Sequence, residues 1–130
     1  MGAIEIGLSA ALSYVVDEDD TALALGSGDV PVLATPRLLA WLEGATVEAL
    51  APALEPGATS VGTRVEVEHS AASVVGATVV ARASLAYVDG RLLRFEVAAE
   101  QVDADGAARV VATGRVTRVV VDREKFLSRL

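Results

Sequence analysis

The hydrophobic pattern of the chain changes period once, and that change constrains the fold more than any other feature. Between Thr35 and Pro52, Leu38, Leu42, Ala45 and Ala49 recur at helical spacing. Leu39, Thr46 and Leu50 widen the apolar stripe, while Arg37 and Glu48 point away from it. Beyond the turn Glu55-Pro56-Gly57 the period falls to two in four segments: Ser60 to Val67, Thr78 to Val88, Arg91 to Val102 and Ala108 to Val121. Val79, Ala81, Ala83, Leu85 and Tyr87 share one face of the second, and Leu93, Phe95, Val97 and Ala99 one face of the third. One amphipathic helix followed by four half-apolar strands predicts an α+β chain in which an antiparallel sheet carries a single helix across one face.

Local signals place the joints. Thr35-Pro36 reads as a hydroxyl N-cap followed by proline at the first helical position, where a missing N–H costs nothing. Asp89-Gly90 reads as a two-residue type I′ hairpin, and Asp103 to Gly106 as a slightly longer one. Ahead of the helix, Leu8 to Val16 and Thr21 to Gly26 flank the acidic turn Asp17 to Asp20 and read as a first strand or strand pair; Ser27 to Pro31 is loop. The expected order is β-(β)-α-β-β-β-β, one domain over residues 1–130.

Composition excludes several functions. Eleven basic against 18 acidic residues leave a net charge of −7, which argues against a nucleic-acid partner, because phosphate backbones are held by Lys and Arg. Zero cysteines remove disulfides, thiolate zinc sites and Cys nucleophiles, and a single histidine leaves no metal site to expect. The longest stretch free of Asp, Glu, Lys and Arg, His69 to Ala81, is far short of the ~20 residues of a membrane helix. The first residues lack a basic n-region and carry Glu5, unlike a secretory signal, and Ile6 stands where a myristoylation motif opening Met1-Gly2 needs Ser or Thr. The expectation is a cytoplasmic protein that engages no membrane.

Chemistry must come from few residues. His69 sits in Glu68-His69-Ser70-Ala71-Ala72-Ser73, where a strand gives way to small residues, and Thr35 offers a hydroxyl at the helix mouth. At 100° per residue, Glu43 falls at about 140° from Leu38, beside Leu50 at about 120°, so its carboxylate is expected half-buried at the edge of the stripe. Such a carboxylate is a candidate base or nucleophile. Gly62 interrupts an otherwise good strand, which points to a bulge or to a ligand pressed close to the backbone.

The runs Val32-Leu33-Ala34-Thr35, Leu42-Glu43, Ser60-Val61-Gly62-Thr63 and His69-Ser70-Ala71-Ala72, with Gly114, Arg118 and Glu124-Lys125-Phe126, closely resemble the fluoroacetyl-CoA thioesterase-like branch of the hotdog-fold acyl-CoA thioesterases. The resemblance implies a hotdog homodimer, or a higher oligomer, that hydrolyses a short or medium acyl-CoA, with CoA as part of the substrate and no cofactor. It implies Thr35, Glu43 and His69 as the catalytic set and Gly62, Ala34, Ala71 and Arg118 on the substrate side. Glu43 could act as base or nucleophile, and Thr35 as nucleophile or as the group that orients water, with His69 moving the proton. Where the fluoroacetate-resistance enzyme has an aromatic lid, this chain has Ser27-Gly28-Asp29-Val30-Pro31, without Phe or Tyr. The competing reading is a non-catalytic module binding acyl-CoA or another small ligand on the same fold. A hotdog dehydratase would want His paired with Asp at a different spacing.

Overall fold

The computed structural model describes residues 3–130, so the reading made of Met1 and Gly2 lies outside it. Five strands, β1 (Ser9–Val15), β2 (Ala58–His69), β3 (Thr78–Asp89), β4 (Leu92–Val102) and β5 (Ala108–Asp122), form one antiparallel sheet in the order β1-β3-β4-β5-β2. Among three helices, α1 (Ala22–Leu25), α2 (Thr35–Leu50) and α3 (Arg123–Ser128), only α2 is long, and it packs across the sheet. This is the hotdog arrangement. No helix among the described residues is long and apolar enough to cross a membrane.

The period-3.6 stripe and the period-2 faces meet as their spacing requires. Leu38, Leu42, Ala45, Ala49 and Leu50 of α2 are buried in one cluster with Val79, Ala81, Ala83 and Leu85 of β3 and Leu93, Phe95, Val97 and Ala99 of β4. Trp41, outside the expected stripe, is also buried and stacks on Tyr14 of β1, with ring centroids 4.4 Å apart and planes at 1°. An aromatic pair closes the side of the core that the short edge strand β1 leaves thin.

Three local expectations are corrected. Thr21 to Gly26 is no strand: Thr21 caps α1 through its hydroxyl to the Ala24 N–H, and Gly26 ends it with a φ of 73°. Side-chain and glycine caps override an alternation only a few residues long. Asp17 to Asp20 is the acidic turn expected, a largely exposed 3₁₀ turn closed by a reciprocal capping box between Asp17 and Asp20. Tyr87 leaves the core face, because the β3–β4 register shifts between Leu85 and Tyr87; it is 44% exposed and Val88 takes the inward side. The β3–β4 hairpin is centred on Gly90-Arg91: Asp89 pairs with Leu92, and only the first central residue, Gly90, has positive φ (58°). That is the pattern of a II′ turn, where glycine leads.

Candidate active site

Thr35 is the first residue of α2, but the cap is Ala34, which has extended backbone and no side-chain acceptor for the helix N–H groups. The expected capping role of the Thr35 hydroxyl is therefore overturned. Freed from the cap, Thr35 Oγ1 lies 2.8 Å from His69 Nδ1. Neighbouring bonds fix the helix mouth. The Ala34 N–H donates to the Asp20 carbonyl at 2.8 Å, the Leu33 N–H donates to the Ser73 carbonyl at 2.8 Å, and Arg37 pairs with the Asp20 carboxylate at 3.0 Å. A wholly buried Ala34 thus anchors an exposed Thr35.

His69 is the last residue of β2, paired with Ala112. The chain is held as it leaves the sheet by the Ser70 N–H and hydroxyl, both donating to the Val111 carbonyl. Burial pushes the imidazole pKa below its ordinary 6.5, partly offset by the Ala71 backbone, so the ring is neutral near pH 7. Its Nε2 is buried without a hydrogen-bond partner. The dyad opens onto a cavity of about 310 Å³ whose wall includes Ala22, Val30, Leu33, Ala71 and Ala72. Ala71 therefore stands beside the dyad.

Glu43 is elsewhere. Eight residues along α2 put it about 12 Å from Thr35 along the helix axis. Its side chain is 38% exposed, the half-burial expected of it, and it accepts a bond from Arg118 Nη1 at 3.2 Å. Arg118, only 6% exposed, turns its whole fork inward: Nε donates to Ser60 Oγ at 2.8 Å and Nη2 to the Ser60 carbonyl at 3.2 Å. Gly62 lies at the β2 bulge, where the register with β5 shifts before Arg64. A Cβ at Gly62 would fall on the Glu43 carboxylate, so in this chain a side chain lies against this backbone where the sequence suggested a ligand. Within the chain, Thr35 and His69 form one cluster, and Glu43, Gly62, Ser60 and Arg118 another.

The second cluster was only half legible. Arg118 shares the inward face of β5 with Val116 and Val120, and a charged residue at a core-facing position needs a buried partner. That signal was available, and Glu43 was its answer.

A five-stranded sheet around one helix, with a Thr–His pair at the helix mouth, defines a hotdog protein of the thioesterase superfamily. A Thermus thermophilus hypothetical protein of that superfamily superposes with a TM-score of 0.87 at 27% identity, over 99% of this chain and 92% of its own. The profile of the fluoroacetyl-CoA-specific thioesterase family matches residues 16–124, and the chain belongs to that family. The fluoroacetyl-CoA thioesterase of Streptantibioticus cattleyicolor is 41% identical over 95 residues, 73% of this chain and 65% of that protein's length. A structure of the fluoroacetyl-CoA thioesterase FlK matches with a TM-score of 0.84 and 34% identity, covering 98% of this chain and 95% of that one. A variant of FlK in complex with acetyl-CoA matches at 0.85 and 32%, over 97% and 96%.

Proposed function

We propose that the chain hydrolyses an acyl-CoA thioester, with Thr35 as nucleophile and His69 as its base. The observation that carries this is the 2.8 Å contact between Thr35 Oγ1 and His69 Nδ1, made by a hydroxyl with no capping duty. Thr35 Oγ1 attacks the thioester carbonyl as its proton passes to Nδ1. The oxyanion forms where the first turn of α2 directs unpaired backbone N–H groups and the positive end of its dipole. The C–S bond breaks, the CoA sulfur takes the proton from His69, and an acyl ester remains on Thr35. Water, deprotonated by His69, attacks that ester and releases the acid and the free hydroxyl. The residues and water balance each step without a metal or cofactor.

Glu43 and Arg118 join this chemistry through a homodimer. β2 is a twelve-residue strand at the sheet edge, and an unpaired edge of that length favours pairing with a second copy. Antiparallel pairing of two β2 strands about Val65 and Glu66 sets Gly62 of one protomer opposite His69 of the other. The Glu43–Arg118 pair of one copy then faces the Thr35–His69 pocket of the next, with Gly62 and Ala34 backbone beside the thioester.

The acyl group is short or medium. The cavity beside the dyad, about 310 Å³, is some ten times the ~30 Å³ a water occupies, and small aliphatic side chains, Ala22, Val30, Val32, Leu33, Ala71 and Ala72, form the apolar part of its wall. The loop over it, Ser27 to Pro31, brings no aromatic ring, which favours breadth over selection for fluoroacetyl. The proposed compartment is the cytoplasm, which a cysteine-free acidic chain suits. Thiol release from a panel of acetyl-, branched, aromatic and medium-chain acyl-CoAs tests the reading: turnover of at least one is expected, and saturable binding of all with no thiol released would sink it.

A further inference from the structure

Among the described residues the exposed Thr35 hydroxyl bonds only to His69, so its aim is set by the backbone that carries it. That backbone is held from two sides. Val32 to Ala34 run into α2 between the acidic turn and the loop that follows His69. On one side the Ala22 N–H donates to the Val32 carbonyl and the Ala34 N–H to the Asp20 carbonyl, each at 2.8 Å. On the other the Leu33 N–H donates to the Ser73 carbonyl at 2.8 Å. Bridges between Thr21 and Leu33 and between Val32 and Val74 make the same two connections. The turn, the helix mouth and the His69 loop are thus one hydrogen-bonded unit.

Asp20 adds a tie that backbone alone does not supply. Its side chain is 16% exposed; Oδ2 accepts from the Asp17 N–H at 2.8 Å, which closes the 3₁₀ turn, and Oδ1 lies 3.0 Å from Arg37 Nε. The Nε–H is not aligned on that oxygen, so the contact is one of charge. The first turn of α2, Thr35 to Leu38, holds Arg37 and no carboxylate, an arrangement that opposes the helix dipole unless an anion lies nearby. Asp20 is that anion. Its carbonyl grips the residue before Thr35, and its carboxylate grips the second residue after it.

We propose that Asp20 is a positioning residue of the active site: through Arg37, its carboxylate holds the first turn of α2 so that Thr35 Oγ1 stays on His69 Nδ1. The kinetic consequence rests on the thioesterase reading above. A control is available in the Arg82–Glu100 pair, which joins β3 to β4 on the face of the sheet turned away from α2.

The test compares two variants of Asp20 on the best acyl-CoA. Asp20→Asn keeps an acceptor for the Asp17 N–H and loses the charge, whereas Asp20→Glu keeps both, glutamate being a usual partner at that position of a capping box. Asp20→Asn is expected to lower kcat ~10-fold with KM within about twofold, because a small displacement of a reacting group costs rate and not binding. Arg37→Gln, which breaks the same contact from the helix side, should do likewise. Asp20→Glu should stay within about twofold of native, and Arg82→Gln should move neither constant. In a Thr35→Ala background Asp20→Asn should change kcat less than twofold, whereas damage spread over the fold would add its full effect. Native kcat in Asp20→Asn, a KM that rises as far as kcat falls, a loss in Asp20→Glu as large as in Asp20→Asn, or a further ~10-fold loss in the Thr35→Ala background would overturn the proposal. Should the native protein cleave no thioester, the activity reading fails separately, and nitrogen NMR of the single histidine still decides. Asp20→Asn should move the Nδ1 resonance toward its position in Thr35→Ala while Arg82→Gln leaves it in place; an Nδ1 resonance unmoved by Asp20→Asn removes the proposal.

Discussion

The two polar clusters on the inner side of the sheet are built from contacts of similar length and opposite character. At the helix mouth, a neutral imidazole meets a hydroxyl at 2.8 Å beside an open cavity. Further along α2, a carboxylate meets an almost wholly buried guanidinium at 3.2 Å, and every nitrogen of that fork is satisfied by protein. The first pair can pass a proton from hydroxyl to imidazole as the hydroxyl oxygen bonds a carbonyl carbon. The second is held together by charge, and Gly62 clears the space for it. The proposed mechanism accordingly gives proton transfer to Thr35 and His69, and in the proposed dimer leaves Glu43 and Arg118 to shape the opposite wall of the pocket.

Removing the base should have the largest effect. His69→Ala is expected to lower kcat by ~100-fold or more with the fold retained by circular dichroism, the scale of losing a general base. Turnover near native would move the base elsewhere, with Glu43 first in line.

The second cluster should respond more in stability. Gly62→Ala puts a methyl group on the Glu43 carboxylate, and Arg118→Gln leaves that carboxylate without its cation. Each is expected to cost about 1–2 kcal/mol in urea unfolding. That is less than the 3–5 kcal/mol of a fully buried pair, because Glu43 is more than a third exposed. A loss of kcat as large as that of His69→Ala, with stability untouched, would erase the distinction between the two clusters.

Acidity should separate them again. Because burial lowers the His69 pKa, its neutral, basic form persists below pH 6.5. The acid limb of kcat/KM should therefore lie below 6.5, with a plateau through neutrality. A limb centred above 6.5 would mean that another group titrates.

The contrast also explains what the sequence made legible. The α2 stripe and four strands follow from the repetition of apolar side chains over many residues, and their observed ends match within a few positions. Features set by a single side chain were less visible. Thr35 ahead of proline looks like a cap in any isolated peptide, and only the arrival of His69 from 34 residues away gives its hydroxyl another partner. The Glu43–Arg118 pair closes over 75 residues, beyond the reach of periodicity. Tyr87 obeys the alternation until a one-residue bulge turns it outward. Short-range pattern specifies the layers, and long-range pairing decides which polar groups meet between them.

Smaller still should be the change that keeps the hydroxyl. The central claim is that Thr35 works through that hydroxyl and not as a helix cap, and kcat for Thr35→Ser and Thr35→Ala on one acyl-CoA tests it most directly. The account expects Thr35→Ser within about tenfold of native and Thr35→Ala lower by ~100-fold or more, with the melting temperature nearly unchanged because no capping bond is lost. Full turnover by Thr35→Ala, or a loss of turnover matched by a fall in melting temperature, would contradict it.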